Sequence, residues 1–138
     1  MYDYGNGVPE NDKTAVKWYT KAAERGHTEA QNSLGTMYEF GLGVLESYIA
    51  AAKWYTKAAE QGDSRAQYYL GVMYNFGKGV PENDKTAVKW YTKAAEQGDA
   101  KAQTNMGFMY ERGAGVLTDI RRAYMWYNLA SYNGNELG

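Results

Sequence analysis

One pattern of 36 residues repeats through the whole chain without insertion or deletion, and that regularity limits the fold more than any local propensity does. Ten columns are identical at every copy. Met1, Met37, Met73 and Met109 share one, each followed by a tyrosine; Trp18, Trp54, Trp90 and Trp126 share another, each again followed by a tyrosine. Glycine recurs in the same way at Gly41, Gly77 and Gly113 and at Gly26, Gly62, Gly98 and Gly134. Residues 7–24 return unchanged as 79–96, the mark of a two-unit duplication. A unit this short cannot bury its apolar face alone, so copies must stack, and three or more are needed for a stable array.

Each unit reads as two helices. Residues 28–40, 64–76 and 100–112 place apolar and small side chains at helical spacing, for example Ala30, Leu34, Met37 and Tyr38. This helix A ends at Gly41, Gly77 or Gly113, residues suited to a left-handed cap. A short Gly-x-Gly-Val loop leads to the column Asn11, Ser47, Asn83, Asp119, an N-cap former in every copy, which opens helix B. Helix B carries a stripe such as Ala51, Trp54, Tyr55, Ala58 and Ala59 and stops at the next glycine. No segment alternates as a half-buried strand would. The expected fold is therefore all-α, antiparallel helix pairs stacked as an α-solenoid. Residues 1–138 form a single repeat domain: a partial unit 1–26, units 27–62, 63–98 and 99–134, and the start of another at 135–138. Gly35, Gly71 and Gly107 each cost mid-helix about 1 kcal/mol relative to Ala, so another backbone or a Trp ring is expected against them.

Composition sets the chemistry. Leu, Ile, Val and Phe make up only 19 of 138 residues, a fraction low enough for disorder were the net charge not −1. Fourteen Tyr, four Trp and six Met supply the apolar mass instead, against sixteen Gly. The balanced charge and a pI near 5.8 argue against a nucleic-acid partner. No segment has the length or hydropathy for membrane insertion. With no Cys and one His, disulfides, thiolate zinc sites and thiol nucleophiles are excluded, and no cofactor or metal is expected. His27 shares a column with Asp63, Asp99 and Asn135 and reads as a surface cap residue. Gly41-Leu42-Gly43 lacks the third glycine and the preceding strand of a dinucleotide fingerprint. Lys85-Thr86-Ala87 lacks the glycine of a Lys-Thr-Gly motif. A hydrolase is thus a remote alternative, and the chain is read as no enzyme.

The string Ala-x-x-x-Leu-Gly-x-x-Tyr at 30–38, the Gly-x-Gly-Val loop and Trp-Tyr-x-Lys-Ala-Ala-Glu-x-Gly at 54–62 resemble the Sel-1-like repeat, a relative of the tetratricopeptide repeat. The resemblance covers essentially the whole chain. It implies a right-handed superhelix with helices A toward the concave side, acting as a non-enzymatic adaptor for protein complexes. It also leans toward a bacterial envelope or secreted location, although Met1–Gly5 has no signal-peptide character. Some bacterial relatives carry a cysteine pair per repeat; this chain departs from that branch.

Where the repeat columns vary, a partner is expected. On a helical wheel Ala30, Gln31, Leu34, Gly35, Met37 and Tyr38 occupy a constant arc, and the opposite arc changes between units. Its members Asn32, Ser33 and Thr36, then Arg65, Tyr68, Tyr69, Val72 and Asn75, then Lys101, Asn105 and Phe108, form the candidate binding face. Aromatic rings beside carboxamides suit a protein or peptide partner, the amides bonding its backbone. Phe76 also lies on this arc, with simple packing at its helix end as the alternative reading. A glycan or cell-wall fragment stacking on the same rings is the second functional reading. Because 138 residues make 3.83 units, the array begins within a helix A and is expected to expose surface near Met1, Tyr2, Tyr4, Trp126 and Tyr132, favouring end-to-end self-association at high concentration.

Overall fold

The computed structural model describes residues 8–137. Among them are seven helices and no strand: α1 (Val8–Glu24), α2 (Thr28–Phe40), α3 (Tyr48–Glu60), α4 (Ser64–Phe76), α5 (Asp84–Glu96), α6 (Ala100–Arg112) and α7 (Ile120–Leu137). The even-numbered elements are the helices A of the repeat, and each packs on the helices before and after it in the chain, the contact within an A–B pair being the more extensive. The solenoid expected from the period is the fold observed.

The punctuation follows from single residues. Gly41, Gly77 and Gly113 end the helices A with φ of 67°, 69° and 71°, a conformation that costs residues with a Cβ. Helices B open on side-chain caps: Ser47 accepts from the Ala50 amide, Asn83 from Thr86 and Asp119 from Arg122. The same three residues are tied back by their own amides to the carbonyls of Tyr38, Tyr74 and Tyr110, at 2.8, 2.8 and 2.9 Å. Asn11 departs from the expectation. It lies inside α1, which starts at Val8, and Pro9 fits a first helical turn. Gly134 departs too: α7 runs through it to Leu137. At Gly62 and Gly98, by contrast, the chain turns into a helix A capped by Asp63 or Asp99. The expected exposure at Met1, Tyr2 and Tyr4 falls outside the described residues.

The core is built on aromatic rings seated against small residues. Trp54 and Trp90 are each 8% exposed, Trp54 against Ala23, Ala30 and Leu34, so one ring joins its own helix A to the end of the preceding helix B. Trp18, expected to pack likewise, is 65% exposed. The mid-helix glycines have a different partner from the Trp expected. A Cβ on Gly35 would stand 2.6 Å from the Tyr55 ring, and Gly71 and Gly107 meet Tyr91 and Tyr127 in the same way. The column Tyr55, Tyr91, Tyr127 therefore sets the distance within each A–B pair.

A second device went unread in the sequence. Gln31, Gln67 and Gln103 are buried, and each Nε2 donates to the last-turn carbonyl of the preceding helix B: Ala23 at 3.1 Å, Ala59 at 3.1 Å, Ala95 at 3.0 Å. Their Oε1 atoms accept from Gln61, Gln97 and Asn133 at 2.8, 2.9 and 2.9 Å. Gln61 and Gln97 also donate to the carbonyls of Gly26 and Gly62. Each glutamine amide thus adds a second bond to a carbonyl that already accepts from the Gly26, Gly62 or Gly98 amide, and the chain of bonds runs from unit to unit.

Candidate functional site

Because α2, α4 and α6 are equivalent elements of successive units, their variable arcs lie side by side. The eleven candidate residues do not form one surface. Asn32 is only 6% exposed and its Oδ1 is buried without a partner, so it offers no amide to a ligand as expected. The larger Tyr68 stands in its column in the next unit. Ser33 is half-buried. Thr36 donates to the Asn32 carbonyl at 3.2 Å and lies 3.1 Å from the Tyr55 hydroxyl, which itself donates to Glu39 at 2.7 Å. Val72 packs into the core around Tyr91 and Met106. Thr36 and Val72 serve contacts within the repeat and Asn32 is buried, which a helical wheel does not separate from binding.

The other seven fall into two clefts between α4 and α6. Arg65, Tyr68, Tyr69 and Lys101 line the first, about 380 Å³, at the N-terminal ends of these helices, together with Asp99. Asn75, Asn105 and Phe108 line the second, about 460 Å³, near the C-terminal ends. Between them Tyr69 reaches the preceding unit, stacking obliquely on Tyr55 at 5.1 Å between ring centres, while Tyr68 approaches Tyr91 of its own unit at 6.2 Å. Both are half-buried, so they support the array as well as facing the groove.

Charge and hydrogen bonding differ at the two ends. Arg65 pairs with Glu29 at 3.2 Å and more loosely with Asp63 at 3.7 Å. The Lys101 ammonium lies 6.0 Å from the centre of the Tyr68 ring. In the second cleft Asn75 donates to the Tyr91 hydroxyl at 3.2 Å. Burial pushes Tyr91 up to about 12, against the opposing effect of hydrogen bonds from Asn75 and Asn105, with Tyr68 and Asp84 adding to the rise. Burial also raises Tyr68, helped by the Asp99 carboxylate. These phenols stay neutral at physiological pH and serve as hydrogen-bonding groups. Phe108 is 41% exposed, edge-on to Tyr127 at 5.5 Å and beneath the Arg112 guanidinium at 5.5 Å.

Six residues of the second cleft were not among the candidates: Phe76, Glu82, Asp84, Met109, Arg112 and Ala114. Phe76 is 66% exposed, so the reading that it packs at its helix end is wrong. Its described counterparts in the column, Phe40 and Arg112, are exposed as well. Glu82 and Asp84 were obscured by the loop and cap in which they sit. Among the described residues no group of His, Asp and Glu has the form of a metal site, and no helix is long and apolar enough to cross a membrane.

Comparison with known proteins follows the same repeat. The Sel1 repeat family matches at residues 1–27, 28–63, 64–99 and 100–135. No curated protein matches the chain. Among solved structures, c5321, a protective antigen present in uropathogenic Escherichia coli strains and displaying an SLR fold, is 39% identical with a TM-score of 0.89 over 99% of this chain. A Sel1 repeat protein from Oxalobacter formigenes is 38% identical, with a TM-score of 0.79 over 92% of the chain. The chain spans 29% and 55% of the lengths of these two proteins. Helicobacter pylori cysteine rich protein B shares the fold at 24% identity, with a TM-score of 0.72 over 94% of this chain and 93% of its own. Sel1 repeats are generally non-catalytic scaffolds for protein interaction. Four consecutive repeat matches over a matching solenoid establish that this chain belongs to the Sel1 repeat family.

Proposed function

We propose that this protein is a non-enzymatic scaffold that binds an extended peptide, or an extended segment of a protein, along the face formed by α4 and α6. The observation that carries this reading is the second cleft, where exposed Phe76 and Phe108 stand beside the amides of Asn75 and Asn105. Water gives no reason to hold two aromatic rings outward on neighbouring helices, and amides beside them match the donors and acceptors of a peptide backbone. A contact that mixes rings and amides also gives affinity without requiring a large flat interface. Tyr68 and Tyr69 take part, but they are unsuitable as the main probe because their rings also pack on Tyr91 and Tyr55.

Selection from a display library of random peptides, followed by titration of the selected sequences, tests the reading. Phe76→Ala and Phe108→Ala together should weaken the selected peptides by tenfold or more with unchanged helicity. Absence of any selected peptide, or equal binding by the double variant, would remove the support. Cell-wall fragments titrated in parallel, with Tyr and Trp fluorescence as the signal, test the glycan reading.

A further inference from the structure

We propose that the outer face of α7 is a self-association surface on which a second copy of this chain docks, the two α7 helices running antiparallel about a two-fold axis. On a helical wheel this face lies opposite Gly134, which borders the first cleft. The proposal therefore stands apart from the peptide-binding reading.

Helices B carry three outward columns that are charged in the first three copies of the repeat. Lys17, Lys53 and Lys89 fill one, Lys21, Lys57 and Lys93 the next, and Glu24, Glu60 and Glu96 the third; all nine side chains are exposed. In α7 the same columns hold Met125, Leu129 and Tyr132, which stay 50%, 41% and 63% exposed. A further unit stacked in register does not cover these columns. The helices α4 and α6 pack on α3 and α5, yet the charged residues of α3 and α5 in these columns remain open to water. A cover for the apolar stripe of α7 must come from outside the stack.

The spacing of the stripe says what fits it. Met125, Leu129 and Tyr132 are four and three residues apart, the intervals at which one helix seats its side chains between those of another. Arg121 and Glu136 extend the pattern by four residues at either end, one basic and one acidic. Arg122 is offset by Asp119, 4.0 Å away, so the N-terminal end of the stripe keeps one positive charge. An antiparallel copy centred between Asn128 and Leu129 matches this pattern to itself. Arg121 then lies opposite position 136 of the second copy, Met125 opposite its Tyr132, and Leu129 beside its own equivalent at the axis. A parallel copy would set like charge on like. Three half-exposed side chains of this size offer roughly 300 Å² per copy, less than half of the ~800 Å² per partner of a stable complex. The pairing is accordingly weak and reversible, with monomer at micromolar and dimer toward millimolar concentration.

Sedimentation equilibrium across that range provides the test, and the wild type should approach a mass of two copies and stop there. Met125→Lys, Leu129→Lys and Tyr132→Glu together install the residues that α5 carries at these positions, where Lys89 lies 5.3 Å from the centre of the Trp90 ring. The repeat thus already accepts this stripe, and far-UV circular dichroism verifies that the variant folds. The triple variant should weaken the dimer by roughly a hundredfold or more. Arg121→Glu and Glu136→Arg should each weaken it by about tenfold, since each dimer holds the pair twice, and the two combined should restore it. A wild type that stays monomeric throughout overturns the proposal. So do assemblies that grow beyond two copies, the signature of end-to-end stacking, and a dimer that the triple variant leaves intact. Failure of the combined charge variant to restore the dimer overturns the antiparallel register.

Discussion

Replacing Gly71 by Ala isolates the contact that sets the spacing within a repeat. In an open helix the change should stabilise by about 1 kcal/mol. Here the new methyl would stand 2.5 Å from Tyr91 Cδ1 and 2.6 Å from Cε1, where carbon atoms in contact sit at roughly 3.5–4.0 Å. The ring or the helix must therefore move by about 1 Å. Tyr91 is fully buried and its hydroxyl is held by Asn75, so the ring has nowhere to go. Overpacking of this kind costs about 1–3 kcal/mol, with the upper part of that range expected, so Gly71→Ala should be destabilising on balance, by about 1–2 kcal/mol. Urea unfolding followed by circular dichroism measures this, with the slope checked for loss of cooperativity along the array. Two controls make the sign decisive. Gly134 is helical, and a Cβ added there would meet nothing within 4 Å, so Gly134→Ala should be neutral or stabilising. In a Tyr91→Ala background, itself costing about 3–5 kcal/mol, Gly71→Ala should become stabilising. A higher midpoint for Gly71→Ala alone, or the same loss with and without the Tyr91 ring, would refute the reasoning.

The caps, the glutamine chain and the buried phenols give three further tests. His27 occupies an N-cap position but makes no side-chain bond, whereas Asp63 and Asp99 accept from Ala66 and Ala102 at 2.9 Å. His27→Asp should raise stability by about 1 kcal/mol, and His27→Ala should leave it nearly unchanged; equal melting curves for all three proteins would count against the cap. Gln67→Leu removes bonds to Ala59 and Gln97 and should cost about 1–3 kcal/mol in urea unfolding, an unchanged midpoint being the contrary result. Burial raises Tyr91 to about 12 from an ordinary 10.0, and raises Tyr55 as well. Because the unfolded chain then releases protons first, the stability these groups contribute is complete below pH 10 and is lost as pH climbs toward about 12. Ultraviolet titration should show the Tyr91 and Tyr55 rings ionising only as helicity disappears; their ionisation near pH 10 without loss of helicity would contradict this.

The bounds of α2, α4 and α6 were legible to the residue because each is closed by an invariant glycine and opened beside a polar cap, both local signals. The same logic failed at Asn11 and Gly134, which lie inside α1 and α7. A wheel told the constant arc from the variable one but not a variable core residue from a surface one. Asn32 and Tyr68 share a column, yet one is buried and the other borders a cleft.

The sequence by itself determined the period, the helical class and the position of most helix ends, since these depend on residues a few places apart. Only the tertiary structure decided what meets the mid-helix glycines, how Gln31, Gln67 and Gln103 join successive units, and how the candidate face divides into two clefts. The reason is distance along the chain. Gly71 meets Tyr91, Gln97 bonds Gln67 thirty residues away, and Glu82 reaches the cleft of Phe108 only because neighbouring units stack.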